Sequence, residues 1–439
     1  MTYSMPDDFM WGCATASYQV EGFPDRDGKE QSIWDTFCKK PGAILTGENG
    51  DVACEQYVRY PEDIRLMASL GFKAYRLSFS WPRIISYGKE NQAGIAHYRA
   101  VLDCIHKNHM QAYVTLYHWD LPQSLEDAGG WLNRDTAFAF QRYAEVCFRE
   151  FGDLVDGWIT LNEPWCSAYL GYESGAHAPG RKEHGYAIAA HTLLLAHGLA
   201  VQSYRRSKLT QPIGIALNPA VTKPATGSEQ DGIAAWMEVV TQTDIFLDPL
   251  IKGKYPDVLS EQFGMRFPVR DGDMELISQK LDFLGINYYS EHTISYDEKA
   301  PYLFCVVPSW QKCTDIGWPV TPYGLLHVLR YFSKKAPGTE LFITENGASY
   351  ATGTSVDGRV HDAQRCEYLC RHIEMCHQAI SEGIPLKGYF VWSFMDNFEW
   401  TYGYSQRFGV VYVNYQTQER IPKDSAFLLR DFMHNSIEY

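Results

Sequence analysis

The sequence has no run of about 18 consecutive apolar residues and no basic start leading into an apolar segment, so neither a membrane-spanning helix nor a secretory leader is expected. Basic residues are in deficit: 39 Lys and Arg face 53 Asp and Glu, a formal net charge of -14. Nucleic acid and anionic membrane surfaces both call for a basic face, which leaves a neutral small molecule as the expected partner. Phosphate-cradling motifs are missing: there is no G-x-G-x-x-G, and no Gly-Lys pair is followed by Ser or Thr. H-E-x-x-H and G-x-S-x-G are missing as well, which sets aside zinc-peptidase and serine-hydrolase chemistry. Cysteines number eleven but form no paired C-x-x-C knuckles and no dense framework. They read as reduced, mostly core thiols of a cytoplasmic protein. Cys366, Cys370, His372, Cys376 and His377 cluster in a helix-like stretch ending at Gly383 and are not read as a zinc site. No metal and no cofactor are assigned, and no sequence feature sets an oligomeric state.

What the chain does have is core-forming material: 439 residues, 45% hydrophobic and 14% aromatic, with no composition break that marks a linker. A single domain over residues 1–439 is expected. Eight apolar runs of strand length stand at 9–15, 74–80, 112–118, 157–162, 213–218, 282–287, 341–345 and 388–393. Helix-like stretches lie between them, among them Glu62 to Leu70 stopped by Gly71, and Asp135 to Phe151 with Asp135 as N-cap and Gly152 as stop. Strand followed by helix, repeated eight times, predicts an α/β protein with a parallel sheet closed as a (β/α)8 TIM barrel. An open doubly wound sheet would carry a glycine-rich first turn, which this chain lacks. Long irregular stretches at 16–60, 164–185, 289–322 and 394–420 follow strands, so they are expected to build one elaborate face, where such barrels keep their active sites.

The polar residues at the strand ends point to that face. Glu163 closes the fourth run in Ile159-Thr160-Leu161-Asn162-Glu163-Pro164, and Glu345 closes the seventh in Leu341-Phe342-Ile343-Thr344-Glu345-Asn346-Gly347. Either glutamate alone would be an ordinary surface charge; two in matching settings would face each other across a barrel mouth. Facing carboxyl groups can hold different protonation states, which glycoside hydrolysis requires. A sugar offers ring hydroxyls to polar side chains and C–H faces to aromatic rings. Gln19, His118, Trp119 and Asn162 stand near strand ends, and Trp392-Ser393-Phe394-Met395-Asp396-Asn397-Phe398-Glu399-Trp400 sets an acid between aromatics after the eighth run. Glu399 is placed to accept two sugar hydroxyls.

From Phe9 to Lys423 the chain resembles glycoside hydrolase family 1, the β-glucosidase family. The resemblance rests on Asn162-Glu163-Pro164 and Thr344-Glu345-Asn346-Gly347. It is supported by Gln19 and Glu21, the stretch Tyr75 to Arg83, His118-Trp119-Asp120-Leu121-Pro122, and Asp282 to Tyr289. It implies a (β/α)8 barrel, no metal and a retaining mechanism, with Glu345 as nucleophile and Glu163 as acid/base. Retention calls for carboxyl groups about 5–5.5 Å apart, whereas about 6.5–9.5 Å would invert configuration. The resemblance further implies that Arg76 and Tyr289 contact the nucleophile and that Asn287 belongs to the catalytic group. Gln19, His118, Asn162, Glu399 and Trp400 would hold the non-reducing sugar, with Trp392 as stacking platform and Trp165, Trp318 and Phe408 lining the pocket. Members acting on 6-phosphorylated sugars lack the Glu399-Trp400 pair, and where relatives often carry lysine before Arg-Phe-Gly this chain has Gln406. The implied activity is a β-glucosidase on unphosphorylated β-D-glucosides, with β-galactosides and β-fucosides open. A 6-phospho-β-glycosidase, a transglycosylase and a silent sugar-binding barrel are the alternatives. Cys54-Glu55-Gln56-Tyr57 departs from the family's commoner Asp-His-Tyr stretch.

Overall fold

The computed structural model describes residues 5–434; the first residues of the expected leaderless start and the last of the expected 1–439 domain lie outside them. Eight parallel strands close into a barrel: β1 (Met10–Ala14), β2 (Ala74–Ser78), β3 (Gln111–Tyr117), β4 (Gly157–Asn162), β5 (Ile213–Leu217), β6 (Phe283–Asn287), β7 (Glu340–Asn346) and β8 (Leu386–Trp392). Each pairs with its neighbours in sequence, and β1 closes the ring on both β2 and β8. All eight expected strands are present. They are legible because a strand buried on both faces reads as a continuous apolar run, and β2, β4, β5 and β6 are buried throughout.

The barrel is filled rather than hollow. Tyr113, Ile159, Phe283, Phe342 and Phe390 pack inside it with Ala14, Ala74 and Ala216. Large rings fit because glycines face them: a Cβ on Gly12 would stand 2.3 Å from the Phe390 ring, and one on Gly157 2.4 Å from the Tyr113 ring. This plug sits below the strand C-termini and forms a rigid base for the polar residues above it. Helices such as Gln92–Lys107, Tyr186–Arg206, Pro322–Lys335 and Ala363–Ser381 cover the outside.

Three local expectations need correction. The helix expected from Glu62 begins at Gln56 and runs through Pro61 to Ser69. Burial of Gln56 and Tyr57, with the Tyr75 hydroxyl donating to Gln56 Oε1 at 3.1 Å, overrides the proline as a stop signal. Asp135 lies inside its helix rather than capping it; Arg134 is the N-cap, and the Asp135 N–H donates to the side-chain oxygen of Asn133 at 3.0 Å. The stretch after β6 is not wholly irregular: His292–Tyr296 and Phe304–Val307 form a hairpin, joined by Thr222–Pro224 from the loop after β5. In the Cys/His cluster, His372 is buried, donates from Nδ1 to the Tyr368 carbonyl at 2.7 Å and stacks on the Tyr368 ring.

Candidate active site

At the C-terminal mouth of the barrel a cavity of about 420 Å³ opens, lined from several strands and their loops. Glu163, Glu345, Asn287, Tyr289, His118, Trp119, Trp165, Trp318, Trp392, Glu399, Trp400 and Phe408 all line it. Arg76 and Asn162 join them through hydrogen bonds to Glu345, His118 and Asn287, and Gln19 through its contact with Glu399. Every residue assigned to the site from the sequence is therefore brought to one place.

Arg76, on β2 and almost wholly buried, is the hub. Its Nη1 donates to Glu345 Oε1 and to the Thr344 carbonyl, each at 2.8 Å; its Nη2 donates to Asn162 Oδ1 at 2.6 Å and its Nε to Thr115 Oγ1 at 3.2 Å. A guanidinium this far from water is sustained because its donors are satisfied. The Tyr289 hydroxyl donates to Glu345 Oε2 at 2.7 Å, so both oxygens of that carboxylate are held. Glu163 is treated differently. Asn287 Nδ2 donates to its Oε1 at 2.7 Å and the Cys166 thiol to its Oε2 at 3.1 Å, both neutral donors.

That asymmetry divides the protonation states. Burial raises both carboxyl groups, but at Glu345 the Arg76 cation and the Tyr289 hydroxyl pull the other way. At Glu163 burial, reinforced by the negative charge of Glu345, pushes the carboxyl up to about 8. The first ionisation of the pair therefore belongs to Glu345, and Glu163 keeps its proton longer. Glu399 is also lifted to about 8, by burial and then by Glu345 and Glu163, with the Gln19 amide partly offsetting them.

His118 shows how finely the wall is set. Asn162 Oδ1 is committed to accepting from Arg76 and from Asn287 Nδ2, so Asn162 Nδ2 must be the donor in its 3.1 Å contact with His118 Nε2. The imidazole proton then sits on Nδ1, which has no hydrogen-bond partner, as Gln19 Oε1 has none. Burial and the Arg76 charge keep the ring neutral. A buried donor and a buried acceptor stand ready for a ligand's hydroxyl groups.

Aromatic rings supply the apolar surface. His118 stacks between Trp392 and Trp400, with centroids 5.8 and 5.9 Å away, and Tyr289, Trp318 and Phe408 form a second group 5.3–5.9 Å apart. Trp119, Glu163 and Trp400 hold positive φ values of 80°, 46° and 47°. A left-handed backbone costs a non-glycine residue about 1–3 kcal/mol, a strain typical of functional sites. Cys166, His177, Gln242 and His292 also line the cavity and escaped the sequence reading. Cys166 carried a usable signal, because three residues after Glu163 a helical turn returns to the same side; the others, from a loop, the helical segment Val240–Asp244 and the start of the strand His292–Tyr296, depend on how distant elements pack.

The profile of glycosyl hydrolase family 1 matches residues 1–437. The chain belongs to glycosyl hydrolase family 1. Family 1 relatives agree along its whole length. A 1,4-beta-D-glucan glucohydrolase of Thermotoga neapolitana is 45% identical over 437 residues, covering 98% of each chain. Beta-glucosidase A of Thermotoga maritima is 44% identical over 436 residues, again covering 98% of each. The solved family 1 β-glucosidase from Thermotoga maritima superposes with a TM-score of 0.97 at 44% identity, covering 100% of both chains.

Proposed function

We propose that this glycoside hydrolase is a retaining β-glucosidase that removes terminal, unphosphorylated β-D-glucosyl residues from short β-glycosides such as cellobiose. β-Galactosides and β-fucosides are the further candidates, since the same side chains can hydrogen-bond equatorial or axial hydroxyls. The carrying observation is the unequal pair on the cavity floor: Glu345 bound by Arg76 and Tyr289, Glu163 by Asn287 and Cys166.

In the first half-reaction a Glu345 oxygen bonds to the anomeric carbon as the glycosidic C–O bond breaks, and the leaving oxygen takes the Glu163 proton. In the second, Glu163 takes a proton from water; the water oxygen bonds to the anomeric carbon and the Glu345 ester bond breaks. The cycle restores both groups: the proton Glu163 gives to the leaving oxygen is replaced by one from water, so the step balances with the residues present. His118 Nδ1–H, Gln19 and Glu399 would hold ring hydroxyls, with the Trp392 and Trp400 rings against C–H faces.

The sign of the pH dependence follows. Above about 8 Glu163 loses the proton the leaving group needs, and kcat/KM is expected to fall about tenfold per pH unit. On the acid side activity falls as Glu345 gains a proton and ceases to be a nucleophile. Initial rates across a buffer series check both limbs.

A phosphorylated sugar would meet Glu399 instead of a cation, and the cavity-lining residues among those described include no lysine or arginine. Gln406 is engaged by the Ser349 hydroxyl at 2.7 Å. The protein is expected to release glucose from an aryl β-glucoside and from cellobiose while leaving the 6-phosphorylated aryl β-glucoside intact. Glu399→Ala should lower kcat/KM for the glucoside about 5–150-fold, through loss of two buried hydrogen bonds of about 0.5–1.5 kcal/mol each to a carboxyl group that burial keeps largely protonated. Hydrolysis of the phosphorylated glycoside alone would overturn this reading. We further propose one catalytic domain spanning the chain and a reducing, cytoplasmic setting; the latter is supported by Cys13, Cys54, Cys147, Cys166 and Cys376, which are buried as thiols and not joined in disulfides.

A further inference from the structure

We propose that Cys166 is a positioning residue for Glu163, its thiol orienting the carboxyl group and favouring the ionised form that the second half-reaction needs. This inference rests on the acid/base role of Glu163. Cys166 opens the helical segment Cys166–Leu170, and its N–H donates to the Glu163 carbonyl at 2.9 Å. The side chain is thereby returned to the carboxyl group, with Sγ 3.1 Å from Oε2. Asn218, just past β5, donates from Nδ2 to the same sulfur at 3.4 Å, and its carbonyl accepts from Gln242 Nε2 at 3.0 Å. With Asn218 occupying a sulfur lone pair, the S–H proton is directed to Oε2.

The consequence concerns which oxygen does the chemistry. Asn287 Nδ2 is fixed on Oε1, so Oε1 behaves as the carbonyl oxygen and the transferable proton resides on Oε2. An S–H donated to Oε2 is stronger when that oxygen is charged than when it is protonated, and therefore stabilises the base form. The charges that face Glu163 are Glu345 on β7 and Arg76 on β2; Glu399 after β8 and the neutral Tyr289 after β6 are its other titratable neighbours. All of them are retained when only Cys166 is changed.

Cys166→Ala and Cys166→Ser separate this role from packing. With the alanine variant the alkaline limb of kcat/KM on an aryl β-glucoside is expected to move up by about 0.5–1 pH unit. With a dinitrophenyl glucoside, whose departure needs no proton, kcat should fall several-fold because water attack becomes limiting. The serine variant, a better donor of similar size, should return the limb to its original place or below and restore kcat. Limbs that stay in place in both variants would overturn the inference. The parent reading is tested apart from it, by the leaving-group dependence of Glu163→Ala; failure there removes the acid/base assignment itself.

Discussion

Replacing Glu345 with alanine is expected to lower kcat on an aryl β-glucoside by on the order of 10⁵-fold, the scale on which removal of a covalent nucleophile acts. The residue is buried and both its oxygens are engaged, by Arg76 at 2.8 Å and Tyr289 at 2.7 Å, so neither neighbour can replace it as nucleophile. The alanine variant leaves room where the carboxylate stood, on the face of the sugar opposite the leaving group. A small anion such as azide, entering there, should displace the leaving group directly and give the α-glucosyl azide. Product anomer and rate together check the assignment; a variant retaining a tenth of wild-type activity would remove Glu345 from the mechanism. Arg76 would be left buried without its anionic partner, so thermal unfolding should be followed alongside to separate lost chemistry from lost structure.

Glu163→Ala is expected to give a loss that depends on the substrate. Cellobiose and alkyl glucosides, whose leaving oxygen must be protonated, should lose about 10²–10⁴-fold in kcat/KM. A dinitrophenyl glucoside should keep most of its kcat/KM and lose kcat instead, because no base remains to activate water and the glycosyl-enzyme accumulates. Added azide needs no such base and should restore turnover, now giving the β-glucosyl azide. The opposite anomers from the two variants identify the faces on which Glu163 and Glu345 stand. Equal losses for all leaving groups would contradict the acid/base role.

Much of this site was legible in the sequence because its determinants are local. The barrel strands are short apolar runs buried on both sides, and the plug of Tyr113, Phe283, Phe342 and Phe390 makes that burial necessary. Glu163, Glu345, His118 and Asn287 were legible as polar residues closing such runs, and Glu399 with Trp400 as an acid among aromatics. Features set by distant contacts were not legible. The helix at Gln56 starts ahead of a proline because Tyr57 N–H finds the Glu21 carbonyl at 3.1 Å and Gln56 finds Tyr75. The hairpin His292–Tyr296 with Phe304–Val307 buries few side chains and so lacks a clear alternation. His177, from a loop, and Gln242, from the helical segment Val240–Asp244, reach the cavity by placements that no local pattern encodes. The unequal support of the two carboxyl groups was legible for Glu345 only through family resemblance; Cys166 and its link to Asn218 required the fold.

The most direct test of the central claim is proton NMR of an aryl β-glucoside mixed with the protein, recorded before mutarotation equilibrates the product. Attack by Glu345 followed by water activated by Glu163 predicts that the first glucose signal is that of the β-anomer. An initial α-anomer would mean a single displacement across a wider carboxyl gap, and would contradict the roles assigned to both glutamates.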